Sequence, residues 1–266
     1  MTQVSTPLNP NQRKSSKHAL LVRSLFSRIA KRYELTNDLI SFGMHRIWLN
    51  TLVNKVVAAT EEHPKEQKIV LVDLCAGTGA VTRSLIKKLL HKKQLFKINE
   101  LLLVDFCPEM LAIAKTSIEK TSPTTSTSLT RYLCNDACHC DIPSSSVNLI
   151  TMAYGLRNIQ NRTHAYAEIG RLLTSNGNCF ILDLTKPSVQ ILSFLHGLYL
   201  KILLPILGYM LTGDRKAYSY LARSIEQFPL TSDLVEEIRR CNLIVTETKT
   251  FFFGTATLWR IKKGDC

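Results

Sequence analysis

At 266 residues, 45% hydrophobic and 21% charged, the chain is long enough to bury an ample core and too apolar for wholesale disorder. Its 34 lysines and arginines against 21 acids leave a net charge of +13, which attracts nucleic acid, anionic lipid or an anionic substrate without choosing among them. Eight cysteines, and a start (MTQVSTPLNPNQRKSSKHAL) without an apolar signal segment, point to reduced thiols in a cytoplasm rather than a disulfide scaffold.

Residues 1–17 are polar, with Pro7 and Pro10, and read as a flexible N-terminus. Over 18–32, Leu21, Leu25 and Ile29 recur at helical spacing beside Leu20 and Phe26, while Arg23, Arg28, Lys31 and Arg32 coat the remaining face. Asn37-Asp38 and Gly43 mark turns ahead of a second helix that starts near Met44, so 18–60 reads as a helical cap. After the polar linker EEHPKEQK, strands and helices alternate through 61–266. IVLVDL (69–74) is a buried strand followed by helix to about residue 90. LLLVD (101–105) is a second strand, with helix over 108–120 and a flexible Ser/Thr-rich loop, TSPTTSTS, at 121–128. RYLC and VNLITMAYG give strands three and four, RTHAYAEIGRLL a helix that Gly177 closes, and NCFILDL (178–184) strand five. This alternation indicates a parallel, doubly wound sheet. IVTETKTFFFGTATLWRI ends the chain as an antiparallel hairpin about Gly254.

The stretch 189–211 is long enough to cross a bilayer, yet Lys201, His196 and Pro205 oppose a simple span. It reads as part of a helical insertion at about 188–230, either buried or touching a membrane. Cys134, Cys138, His139 and Cys140 lack a second ligand pair at zinc-site spacing, so no metal is expected.

The loop after the first strand, DLCAGTGAVT (73–82), limits the cofactor. A phosphate-binding loop needs a lysine after its last glycine, and here Ala80 and Val81 follow Gly79. A dinucleotide loop needs a third glycine where Thr82 stands. With Asp105 ending the second strand, the combination resembles the class I S-adenosylmethionine (SAM) methyltransferases. That resemblance implies a Rossmann-like, seven-stranded, mostly parallel sheet with a C-terminal antiparallel strand, preceded by N-terminal helices and carrying the insertion after strand five. It implies SAM as cofactor, held by Tyr33, Asp73, Gly77, Thr78, Gly79, Asp105, Asp136, Ala137 and Ala153. Asp105 would accept from both ribose hydroxyls, Asp136 from the adenine amino group, and the Ala137 N–H would donate to the ring.

Four stretches narrow the likeness: KRYELTNDLISFGMHRIW (31–48), LVDLCAGTGAVT (71–82), AYGLRNIQNR (153–162) with ILDLTKP (181–187), and YSYLARSIEQFP (218–229). Together they resemble the ubiquinone/menaquinone biosynthesis C-methyltransferases over roughly residues 20–262. Members methylate a ring carbon of a polyprenylated hydroquinone, so the resemblance implies that substrate and a cytoplasmic enzyme at the inner face of the membrane, and it allows a homodimer. Departures are Ala76 where the family usually has glycine or cysteine, Asp136 where it usually has asparagine, Ala153 where serine is frequent, and insertions at 91–100 and 121–128.

The resemblance puts Arg157, Asn158 and Tyr220 in the active centre. Arginine is a poor base, so Arg157 is expected to stabilise a developing phenolate, Asn158 to donate a hydrogen bond, and Tyr220 to line the quinol pocket. Tyr33 and Asn37 either fold over the cofactor or only pack. His45 and Trp48 read as core or substrate-wall residues, and Asp183 as a supporting acid or a base. An RNA methyltransferase lacks support, because Ala153-Tyr154-Gly155-Leu156 replaces the nucleobase-amine motif and no RNA-binding module precedes the sheet. A different lipid acceptor and a non-catalytic SAM-binding subunit are the remaining alternatives.

Overall fold

IVLVDL forms β1 (Ile69–Leu74), an apolar run with parallel partners on both sides. Such runs suit a strand covered on both faces. The computed structural model describes residues 10–64, 66–187 and 189–264; the expectation of a flexible start over 1–9 lies outside them. Strands β2 (Ile98–Val104), β3 (Thr130–Leu133), β4 (Val147–Ala153), β5 (Leu173–Leu184), β6 (Leu243–Phe251) and β7 (Ala256–Lys263) complete a seven-stranded sheet of order β3-β2-β1-β4-β5-β7-β6. All pairs are parallel except β5–β7 and β6–β7. The order reverses at β1, so the carboxyl ends of β1 and β4 flank the crevice where open α/β sheets bind ligands.

Two helical layers cover the sheet. Helices α1 (Pro10–Ile29), α2 (Tyr33–Ile40), α3 (Met44–Glu62), α4 (Ala80–His91), α5 (Pro108–Thr121) and α6 (Pro123–Ser128) precede β3. Of these, α3, α4 and α5 bury Leu52, Leu85 and Ala114 against Leu71, Leu103 and Leu149 on one face. On the other face α7 (Arg162–Leu172) and α11 (Thr231–Arg240) bury Tyr166, Ile169 and Ile238 against Ile150, Ile181 and Trp259.

Between β5 and α11 lie α8 (Gln190–Leu198), a π-helical turn (Tyr199–Leu203), α9 (Leu204–Thr212) and α10 (Arg215–Gln227). The widened turn stands where Pro205 cannot continue a regular α-helix. This insertion has a small core of its own with α1: Leu25 and Ile29 meet Leu204, Tyr218 and Ile225. The Arg28–Asp214 pair at 2.7 Å joins α1 to the start of α10. Lys201, the charge inside the apolar stretch, is exposed and lies 2.8 Å from Glu226.

Five local expectations differ from the structure, the first being the turn at Asn37-Asp38, since both residues lie inside α2. The first helix begins at Pro10, eight residues before the predicted start; proline is at home in a first helical turn, where its missing N–H costs nothing. The Ser/Thr-rich loop contains α6, led by Pro123 and closed by Ser128 Oγ donating to Thr124 O at 2.7 Å. The second strand starts at Ile98 rather than 101. Gly177 lies within β5 instead of closing α7, in a bulge that shifts the β4 register between Val147 and Leu149.

Candidate active site

The turn out of β1 sets the site. Cys75, Gly77 and Gly79 all have left-handed φ (+56°, +53° and +74°), which swings the chain sharply into α4. A Cβ placed on Gly77 would meet nothing within 4 Å, so open space lies beside this backbone. Gly155 is the opposite case: a Cβ there would stand 2.5 Å from the Cβ of Cys75, and only glycine lets the turn after β4 approach the β1 loop.

Acidic side chains ring that space. Asp105, just past β2, is buried and accepts from the Gly77 N–H at 2.8 Å and the Cys107 N–H at 2.9 Å. Burial raises its pKa against these bonds. Asp136 accepts from the Cys138 N–H at 2.9 Å, so one of its oxygens caps its own turn. Both line a cleft with Asp73, Gly77, Thr78, Ala137 and Ala153. Asp73 ties β1 to β4 and α4: Oδ1 accepts from Thr151 and Oδ2 from Thr82, at 2.7 and 2.8 Å. Burial pushes its pKa up to about 6 in spite of these bonds. Thr78 is occupied too, donating to Glu34 Oε1 at 2.8 Å. Gly79 packs under the loop, its Cα facing Ala114 of α5.

Glu34, which sequence reasoning missed, ties the N-terminal helices over this cleft. Its carboxylate takes Thr78 and both terminal nitrogens of Arg83, the latter at 2.6 and 3.0 Å. Burial pushes its pKa up, but the bonds from Arg83 and Thr78 outweigh that and hold it below the ordinary value. Nothing in the sequence marks this residue beyond its place in the N-terminal motif.

A second, apolar cavity of about 630 Å³ adjoins the cleft. Trp48, Tyr199, Leu200, Leu204 and Ile225 form much of its wall, and Arg157 is one of its few polar groups. Phe42, Phe252 and Phe253 also line it, yet are largely exposed, which places them at its opening. All three have positive φ, a strained conformation for bulky side chains. Tyr33, Asn37, His45 and Tyr154 line both spaces and form their junction.

The turn after β4 carries the expected catalytic residues. Arg157 Nη1 lies 2.6 Å from Asp183 Oδ1 and 2.7 Å from Tyr154 O, and its backbone N–H reaches Asp183 Oδ2 at 3.0 Å. Burial disfavours its charge, but Asp183 more than compensates and holds its pKa above the ordinary value. Its Nε has no partner among the described residues. Asn158 donates to Tyr154 O and accepts from Tyr220 Oη, at 3.1 and 3.2 Å. Tyr220 thus touches Asn158 and lines neither space. Tyr154, not singled out from the sequence, has φ +60° and a buried hydroxyl with no partner among the described residues.

The donor set fits SAM. An open cradle at Gly77, a buried carboxylate at the tip of β2 and a second acid after β3 surround one cleft, and no lysine lines it among the described residues as a phosphate site would require.

Residues 11–263 match the model of the ubiE/COQ5 methyltransferase family. The demethylmenaquinone methyltransferase of Chlamydia caviae is 34% identical over 91% of this chain and 96% of its own length. That of Protochlamydia amoebophila is 35% identical over 89% and 92%. Among solved structures, magnesium protoporphyrin IX methyltransferase from Synechocystis, with bound SAH, superposes at TM-score 0.62 over 93% of this chain and all of its own, at 12% identity. The C-methyltransferase domain of the citrinin polyketide synthase gives 0.61 over 88% and 57%, at 13%. Likeness at such identities shows the shared fold.

Proposed function

Because the chain belongs to the ubiE/COQ5 methyltransferase family, we propose that it methylates a ring carbon of a polyprenylated hydroquinone, demethylmenaquinol before all others. It is a SAM-dependent methyltransferase, and SAM supplies, when bound, a methyl group that is already electrophilic. The protein has therefore to orient the acceptor and raise the electron density of its carbon. The observation that carries the substrate class is the adjoining apolar cavity of about 630 Å³ with one buried cation, Arg157, in its wall among the described residues. A prenyl tail suits such walls, and a ring oxygen gaining negative charge suits the Arg157 guanidinium and the unpartnered Tyr154 hydroxyl.

On the cofactor side, Asp105 would accept from the ribose hydroxyls, Asp136 and Ala137 would bind the adenine, and the open backbone at Gly77 would admit the methionine part. Tyr33 closes the cleft from above, and Ala153 contributes wall. Thr78, Gly79 and Asp73 shape the loop. Asn158 and Tyr220 position the turn behind the acceptor.

A polyprenylated substrate resides in a membrane, and the surface suits a peripheral visit. One helical stretch among the described residues, Ile191–Met210, is long and apolar enough to cross a bilayer, with 24% of it buried. It exposes Ile191, Phe194, Ile206 and Met210, while Phe42, Phe252 and Phe253 are exposed around the cavity opening. An apolar surface together with a chain of net charge +13 favours anionic lipid.

The test is methyl transfer from labelled SAM to demethylmenaquinol and, separately, to the methoxy-benzoquinol precursor of ubiquinone, with purified protein in detergent. Label in methylated menaquinol is the expected result. Label in the benzoquinol alone would move the substrate to ubiquinone synthesis, and label in neither would reject the reading.

A further inference from the structure

A ring hydroxyl must lose its proton before the adjacent carbon becomes a good nucleophile, and the GLRN turn supplies no group to take it. Arg157 stays protonated. Asp183 is fully buried and committed: Oδ1 accepts from Arg157 Nη1 and the Leu184 N–H, and Oδ2 from the Arg157 N–H. Of the four residues at the junction, Asn37 does not titrate, and burial raises the hydroxyl pKa of both Tyr33 and Tyr154. His45 remains.

His45 stands at the second position of α3. Its Nδ1 is 3.3 Å from Asp38 Oδ1 and 3.2 Å from Ser41 Oγ. Ser41 gives its own hydrogen to Asn37 O at 2.6 Å, so it offers Nδ1 only lone pairs. With two acceptors facing it, Nδ1 carries the hydrogen of the neutral ring. Nε2 is then the basic nitrogen, and it makes no hydrogen bond among the described residues. This is the carboxylate–imidazole arrangement that fixes a tautomer and readies the far nitrogen for a proton.

We infer that His45 Nε2 is the general base, taking the ring-hydroxyl proton of the hydroquinone while Asp38 positions the imidazole; this rests on the substrate reading above. The O–H bond breaks, its electron pair stays on oxygen, and the proton bonds to Nε2, leaving an imidazolium faced by the Asp38 carboxylate. Once the ring carbon is methylated, that carbon sheds its hydrogen to solvent as a proton, Nε2–H reprotonates the ring oxygen, and one proton is released overall.

The surroundings keep the resting imidazole neutral. Burial lowers its pKa, and this outweighs the opposite pull of Asp38. The charged groups facing it balance locally: Asp38 is paired with Arg46 and Glu34 with Arg83. Across the apolar cavity, Arg157 is paired with Asp183, and burial lowers the pKa of His196.

The experiment uses full-length protein with demethylmenaquinol and SAM at saturation, from about pH 5 to 9, a range that brackets an imidazole. His45→Gln should lower kcat by about 10²–10⁴-fold, the usual yield of a positioned base, and abolish the acidic limb of the pH profile. SAM affinity by calorimetry should change far less than kcat. Imidazole in solution should restore part of the rate of His45→Ala. Asp38→Asn should move the acidic limb to lower pH as well as slow turnover, which a packing role would not do. Nitrogen-15 NMR of the histidine signal missing from His45→Gln should show Nδ1 protonated at neutral pH. A His45→Gln enzyme with wild-type kcat, an unchanged acidic limb, or a hydrogen on Nε2 would overturn the inference alone. A wild type inert toward every hydroquinone would reject the substrate reading and this inference with it.

Discussion

Arg157 Nη1 and Asp183 Oδ1 are 2.6 Å apart, with 4% and 0% of their side chains exposed. Asp183 also receives the Arg157 N–H, so one carboxylate at the end of β5 fixes both the turn after β4 and the cation in the cavity wall. A buried pair of this kind contributes little net stability, but losing one member leaves an uncompensated charge. Asp183→Asn should lower the unfolding free energy by about 3–5 kcal/mol in urea titrations. Arg157→Met combined with Asp183→Leu should recover most of that stability and show no turnover. An Asp183→Asn protein as stable as wild type would show that the pair does not hold the turn.

Much of this arrangement was legible beforehand, and the exceptions share a cause. The βα alternation and the glycine loop after the first strand follow from periodicity and turn chemistry, which act over a few residues, whereas the strand order that opens the crevice does not. Glu34, Tyr154 and the Asp38–His45 contact depend on how the N-terminal helices settle over the sheet, and no local pattern encodes that. Arg157 shows the boundary well. Its motif suggested a role for the turn, while the partner that fixes its guanidinium lies 26 residues away in the chain. Tyr220 shows the reverse case: expected on a pocket wall, it supports Asn158 from behind.

Tyr154 separates function from stability. Its buried hydroxyl has no partner among the described residues, and burying such a group unpaired costs about 1–3 kcal/mol. Tyr154→Phe should therefore leave thermal stability equal or higher, yet reduce kcat by roughly 10²-fold as a donor to the developing phenolate is lost. A variant that keeps full turnover would show that the hydroxyl meets no charge in the reaction.

Asp73 should give the stability profile a recognisable shape. Its pKa is near the ordinary carboxylate value in the unfolded chain and about 6 in the fold. Between the two, the folded state keeps a proton that the unfolded state has released, so this residue lowers stability as pH rises from about 4 to 6 and changes nothing above. Asp73→Asn should abolish that fall, and at neutral pH it should gain up to about 3 kcal/mol less whatever the Thr82 and Thr151 bonds contribute. Melting curves at several pH values read the difference, and parallel profiles for the two proteins would contradict the assignment.

Glu34 is expected to act on cofactor affinity. Its pKa is depressed, so its contribution is present above the unfolded value of 4.5 and fades as pH falls through the lower folded value. The side chain is 40% exposed, which limits the pair with Arg83 to roughly 1 kcal/mol. Glu34→Gln should thus weaken SAM binding by up to about tenfold in calorimetry at neutral pH, with little effect on kcat at saturating SAM. Unchanged affinity would mean that the helices close the cleft without this tie.

The insertion makes the most demanding prediction, because its apolar surface has no partner in the fold. Phe194 is 72% exposed on α8 and Ile206 51% on α9, and neither lines the cavity. Exposed helical positions tolerate substitution within about 0.5 kcal/mol, so Phe194→Gln with Ile206→Gln should melt like wild type. A short-tailed hydroquinone dissolved in detergent should be methylated at the wild-type rate, since the cavity and the junction are untouched. With a long-tailed substrate in anionic vesicles the outcome should differ. Each side chain withdrawn from the interface removes about 1.5–3 kcal/mol of burial at most, and kcat/KM should fall at least tenfold together with the fraction of protein sedimenting with the vesicles. Neutral vesicles should bind even the wild type less, in keeping with the basic charge. Equal activity of variant and wild type on vesicles would mean that the substrate tail leaves the bilayer unaided. Equal losses in detergent and on vesicles would instead place these residues in the folding of the cavity wall.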